Sequence, residues 1–203
     1  LLSQPTLVVT RQMEMLNIFL GFELANRYAL VSPEGEPKGY IAETEQGLGN
    51  VMQRQFFRNH RPFTAHVLDG EGKEMLVIRR AFKWLTSKTS VSLVDPETGS
   101  ETLVGEVRQR LTVYRRKYDL FTESVQFASI DGGLWAWDFV MVDTDGEPLG
   151  AVSRNFRGFG RELFTDTGQY ELVRHGPARA LTLDERAVAL ATAVSCDVDY
   201  FSQ

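Results

Sequence analysis

One stretch limits what this chain can fold into more than any other. Residues 181–201 read Leu-Thr-Leu-Asp-Glu-Arg-Ala-Val-Ala-Leu-Ala-Thr-Ala-Val-Ser-Cys-Asp-Val-Asp-Tyr-Phe, the only long helix signal in the sequence. Thr182 with Glu185 three residues later is a capping box, so a helix is predicted from about 182 to 201. Asp184 and Glu185 fall in its first turn, where the positive end of the helix dipole favours carboxylates. Leu183, Ala187, Leu190, Val194, Val198 and Phe201 share one face at three- and four-residue steps. The opposite side, with Val188, Ala189, Thr192, Ala193, Ser195, Cys196 and Tyr200, is hardly more polar.

A helix that is apolar almost all round is buried, in protein or in lipid. The uncharged run from Ala187 to Cys196 is ten residues, whereas a membrane span needs about 20. Any longer window takes in several of Asp184, Glu185, Arg186, Asp197 and Asp199, each costing roughly 2.5–3.5 kcal/mol near the bilayer centre. The expected surroundings are the protein's own sheet, with Leu190, Val194 and Val198 marking the central helix.

A sheet of the right size is legible upstream. Four stretches repeat one pattern, an apolar run, a turn containing Gly, and a second apolar run. They pair Tyr28–Val31 with Gly39–Ala42, Phe63–Leu68 with Met75–Ile78, Val91–Val94 with Leu103–Val107, and Trp135–Val142 with Leu149–Ser153. Asp and Pro open such turns and Gly supplies positive φ, so each is a predicted hairpin. Further strands are expected at Leu7–Gln12, Ile18–Phe22, Thr112–Tyr114 and Ser124–Ile130, with a turn at Ile130–Gly133 and a short helix at Gly47–Arg58. The turn spacing is too uneven for a propeller or solenoid. Closing a many-stranded antiparallel sheet hides its edges, and an apolar helix needs a wrapping. The expected fold is therefore mainly β, an antiparallel sheet closed around the C-terminal helix, in one domain over residues 1–203.

The chemistry is sparse. With a net charge of −5 over 203 residues, nucleic acid is an unlikely partner. Cys196 stands alone, so no internal disulfide is possible. His60, His66 and His175 lack a second ligand at metal spacing, and no P-loop or nucleophile elbow is present. Asp143-Thr144-Asp145-Gly146 resembles the start of a calcium loop but lacks its later ligands, and a hairpin turn accounts for it. Residues 1–10 carry no basic leader segment, so no secretory signal or transit peptide is legible there. A conventional enzyme is not expected. Basic residues do cluster beside aromatics, as in Arg54 and Arg58 with Phe56-Phe57, Arg79, Arg80 and Lys83 with Phe82 and Trp84, and Arg154, Arg157 and Arg161 with Phe156 and Phe159. Such a composition suits anionic headgroups. Solvated strand faces account for most of these clusters more simply.

Four stretches then match a known family in order. Gln12–Glu23 running into Asn26-Arg27-Tyr28, Arg61-Pro62-Phe63-Thr64 with Asp69, Arg161–Asp166, and Asp197–Phe201 resemble the landmarks of the phospholipid scramblase family, most of all its fungal, mitochondria-associated members. The resemblance implies a tubby-like fold of about twelve strands closed around a central hydrophobic helix. It also implies ATP-independent, calcium-stimulated movement of phospholipids between leaflets, at an intracellular, membrane-associated location, which for the fungal members it most resembles includes mitochondria. The family's calcium segment would place Asp166 and Tyr170 as ligands, but Gly168 and Thr182 stand where further carboxylates are expected, so a weak site is implied. The cysteines that some members carry before the Arg-Pro-Phe-Thr motif are absent. The expected lipid contacts are Arg154, Arg157 and Arg161 for headgroups of anionic phospholipid, with Trp135 and Trp137 as interfacial aromatics. The alternative function is a peripheral module that binds anionic lipid or a protein partner and moves nothing.

Overall fold

The computed structural model describes residues 1–4, 6–11, 24–44, 62–81, 86–112, 115–133, 138–153, 169–173 and 179–200. Within them the protein is mainly β, with antiparallel strands followed by one C-terminal helix. The strands are β1 (Leu7–Arg11), β2 (Leu24–Val31), β3 (Pro37–Thr44), β4 (Phe63–Asp69), β5 (Glu74–Ala81) and β6 (Lys88–Val94). They continue with β7 (Glu101–Arg110), β8 (Arg115–Thr122), β9 (Val125–Gly133), β10 (Asp138–Val142), β11 (Pro148–Ser153) and β12 (Gln169–Val173), and the helix is α1 (Leu183–Tyr200). Neighbours in sequence are neighbours in the sheet from β2 to β12, and β1 pairs with β2 on one side and β12 on the other.

Antiparallel order sorts the connections into two sets. Tight turns join β2–β3, β4–β5, β6–β7, β8–β9 and β10–β11, and all five lie at one end of the sheet. The connections into β2, β4, β6, β8, β10 and β12 lie at the other. These are called the turn end and the loop end below. Local chemistry fixes the turns. The Asp143 carboxylate accepts hydrogen bonds from the amides of Asp145 (2.9 Å) and Glu147 (2.8 Å), while Gly146 takes a φ of 86°, which is αL-like backbone that suits glycine. The Asp143 stretch is thus the hairpin turn expected of it.

The period of two sets what faces inward. Tyr28 and Leu30 of β2, Phe63, Ala65 and Val67 of β4, Leu76 and Ile78 of β5, and Phe139 and Met141 of β10 are all buried in one core cluster. The helix completes that cluster: every side chain from Ala187 to Val198 is buried. Its small residues let the wall come close. A Cβ at Gly105 of β7 would stand 2.3 Å from Val188 Cγ2 and 2.4 Å from the Phe121 carbonyl oxygen. No helix among the described residues is long and apolar enough to cross a membrane.

Two local expectations change. The strand expected at Thr112–Tyr114 does not include Thr112; β8 starts at Arg115 and carries the basic run Arg115-Arg116-Lys117 outright. Asp131-Gly132-Gly133 is not a turn but the end of β9, paired with Lys117, Arg116 and Arg115. The turn is instead Glu123-Ser124, where two non-glycine residues take φ of 49° and 70°, the mirror-image turn that matches strand twist. The strand at Ile18–Phe22 and the helix at Gly47–Arg58 lie outside the described residues.

Candidate functional site

Three sets of polar side chains stand out among the described residues, one at each end of α1 and one on the outside of the sheet. At the turn end, the capping box forms as its spacing predicts. The Thr182 amide donates to Glu185 Oε2 (2.8 Å) and the Glu185 amide to Thr182 Oγ1 (3.3 Å). Arg179 adds a fork onto the same carboxylate, Nη1 to Oε2 at 2.7 Å and Nη2 to Oε1 at 2.5 Å. Burial opposes the Glu185 charge, but the hydrogen bonds from Arg179 and Thr182 outweigh it and hold its pKa below the ordinary value. Both oxygens are therefore engaged, and a cation taking Glu185 would have to displace Arg179.

At the loop end, a buried polar layer surrounds the last turns of α1. The Tyr28 hydroxyl donates to Asp197 Oδ2 at 2.6 Å, with both residues buried. Thr89 Oγ1 and Ser195 Oγ share a hydrogen bond of 3.1 Å. Arg80, 2% exposed, stands opposite Thr89 in the β5–β6 ladder, and Glu43 of β3 is 0% exposed. Thr192 turns its hydroxyl back on the Val188 carbonyl (2.9 Å), a way for a helix to bury a threonine without an outside partner. In sequence Arg80 groups with Arg79 and Lys83 as a basic cluster. The signal that separates them is parity: Arg80 falls on the Leu76–Ile78 side of β5, and Arg79 on the other.

On the outside, β5 to β9 carry a ladder of ion pairs. Arg79 pairs with Glu101, Lys88 (2.5 Å) and Arg108 (2.9 Å) with Glu106, Arg110 with Asp119 (2.5 Å), and Lys117 with Asp131 (2.8 Å). The Arg108 guanidinium also stands 4.2 Å from the Phe121 ring centre. The hydrogen bond from Arg79 lowers the Glu101 pKa against its modest burial. Burial works against the Glu106 charge, and the bonds from Lys88 and Arg108 overcome it. A strand face turned to lipid is an apolar band; this face is built for water.

The expected site residues divide sharply. Leu190, Val194 and Val198 are buried in the core, as the helix pattern requires. Tyr170 lies in β12, where its backbone pairs with Val9. Trp135 and Trp137, between β9 and β10, and Arg154, Arg157, Arg161 and Asp166, between β11 and β12, lie outside the described residues. Among the described residues no group of three or more His, Cys, Asp or Glu is placed to hold a metal ion.

Comparison with known proteins assigns the fold to a lineage. The family model described as scramblase matches residues 1–203. The chain belongs to the scramblase family. A phospholipid scramblase family protein of Schizosaccharomyces pombe is 42% identical over 234 aligned positions, covering 100% of this chain and 61% of that protein. The altered inheritance rate of mitochondria protein 25 of Saccharomyces cerevisiae is 37% identical, covering 100% of this chain and 72% of that one. Phospholipid scramblase 1 of Mus musculus is 26% identical over 81% of this chain and 52% of its own length. The chain thus spans about three fifths of its fission-yeast relative. No solved structure matches.

Proposed function

We propose that this scramblase-family chain acts on phospholipid at a membrane surface, moving it between leaflets without ATP and without covalent chemistry, and that it meets the membrane end-on. The family match over the whole chain carries the reading. In this proposal the sheet is a closed, tubby-like barrel around α1, supported by the pairing of β1 with both β2 and β12. The ion-paired face of β5 to β9 stays in water. Membrane contact falls to the loop end, because the connections there hold the basic and aromatic sequence: all three tryptophans, Trp84, Trp135 and Trp137, and Arg154, Arg157 and Arg161. Those arginines take the headgroups of anionic phospholipid, and Trp135 and Trp137 sit at the interface. Asp166 and Tyr170 form at most a weak calcium site, since a hard cation wants six to eight oxygens. The membrane is intracellular and, following the name of the budding-yeast relative, mitochondrial.

Leaflet exchange in liposomes of mixed anionic and neutral phospholipid tests this directly, with and without calcium. The expected result is protein-dependent exchange at both conditions, with only a small gain from calcium. Firm liposome binding with no exchange at any calcium level would sink the transport reading and leave a lipid-binding module.

A further inference from the structure

We infer that the buried polar groups at the loop end are a latch, which holds α1 at one depth and one rotation and from which the helix is released. The inference rests on the interior alone and stands whether or not lipid is moved.

The middle of α1 offers the wall little that is specific. Ala187, Val188, Ala189, Leu190, Ala191 and Ala193 are small or aliphatic and packed in an apolar cluster. Apolar burial is non-directional, so such a surface fixes depth and rotation by shape alone and less specifically than paired polar groups do. Ser195 and Asp197 supply such groups. Two residues apart on a helix, they project about 200° from each other, and they bond to different strands, Ser195 to Thr89 of β6 and Asp197 to Tyr28 of β2. The helix is gripped from two sides at one level. Any slide or rotation breaks both bonds at once, leaving hydroxyls and a carboxylate in a place water does not reach. The layer also lies next to the loop end, so breaking it frees the last turns without disturbing the capped start of α1.

Cys196 stands between the two bonded residues, fully buried, and is the only cysteine in the sequence. It reports helix release without any engineered probe. The experiment measures the rate at which a soluble thiol reagent labels Cys196 in native buffer without lipid, alongside global stability from urea unfolding. The variants Tyr28→Phe and Thr89→Val keep shape and remove one bond each. Ile78→Val on β5 and Thr182→Ala at the cap serve as controls that weaken the fold elsewhere. The latch variants should label about tenfold faster than their loss of global stability accounts for, the size expected from one lost buried hydrogen bond. The controls should label only as fast as their global stability dictates. Asp197→Asn retains an acceptor for Tyr28 and should stay close to the unaltered protein. If all variants fall on one line of labelling rate against global stability, α1 has no separate release step and the latch is refuted.

Discussion

The two ends of the sheet are built on different rules. At the turn end every strand-to-strand connection is a tight hairpin, and each carries a carboxylate: Glu34, Asp69, Asp95, Glu123 and Asp143 among others. Several carboxylates do backbone work, as Asp95 does in accepting from the amides of Glu97 (2.8 Å) and Thr98 (3.0 Å). Those amides lower its pKa. The connections into β2, β4, β6, β8, β10 and β12 are mostly longer in sequence, and several of them carry arginines or tryptophans in place of turn residues. In sequence the two sets of connections thus differ in charge although the net charge of the chain is a modest −5. In the proposed end-on docking this division matters more than the net charge, because an anionic bilayer would attract the basic set and repel the acidic one.

The most forceful way to break this comparison is to alter charge at each end separately. Each basic residue near an anionic surface is worth about 1 kcal/mol. The triple variant Arg154→Gln, Arg157→Gln, Arg161→Gln should therefore lose roughly 100-fold or more in affinity for anionic liposomes. The matching turn-end variant Asp143→Asn, Asp145→Asn, Glu147→Gln removes as many charges and keeps the Asx acceptor of the turn. Co-sedimentation with liposomes at low and physiological salt should show little change for it. Equal losses from both ends would mean that no one end docks.

Between the ends, the wall and the helix meet most closely at Gly105. An added methyl there has no room, with Val188 Cγ2 at 2.3 Å and the Phe121 carbonyl at 2.4 Å from the ideal Cβ position. Gly105→Ala should cost about 1–3 kcal/mol, the usual range for overpacking a core, read from urea midpoints. Val188→Ala in the same background should recover only part of the loss, since the backbone contact to Phe121 remains. Full recovery would show that the strand, not the helix, gives way.

How much of this was legible depended on whether the signal was local. The helix, its cap and its burial all followed from residues 181–201, because capping boxes and all-round apolarity are short-range facts. Turns with Asp and Gly were equally plain, as at Asp69 and Asp143. The Glu123-Ser124 turn was not, because neither residue is the glycine that a positive φ usually recruits. The glycine signal at Asp131-Gly132-Gly133 points to a turn several residues later than the real one, and that displaces β8. The polar layer escaped for another reason. Tyr28 and Asp197 are 169 residues apart and Thr89 and Ser195 are 106 apart, and no pattern within a strand states which strand the helix will face. Parity holds the half of it that a sequence can state, since Arg80 shares a face with Leu76 and Ile78. The membrane-facing candidates rest on family likeness and on the order of strands, and their side chains lie outside the described residues.

The smallest effect sharpens the contrast at the helix itself, where α1 is held by ions at the turn end and by hydrogen bonds within the core at the loop end. Glu185 has a folded pKa below its unfolded value of about 4.3. A depressed carboxylate contributes stability that is fully present above the unfolded value and is lost as pH falls through the folded one. Stability should therefore decline on acidification below about pH 5, and Glu185→Gln should flatten that slope while lowering stability at neutral pH. Thr182→Ala removes the reciprocal cap and should cost about 1 kcal/mol at any pH. Arg179 is half exposed and the pair is open to salt, so the Glu185 contribution should shrink at high ionic strength. Urea unfolding at pH 4 and pH 7, each at low and high salt, separates the two. An acid slope unchanged in Glu185→Gln would assign the loss to carboxylates of the turns, and the mouth of the sheet would then hold α1 by its cap alone.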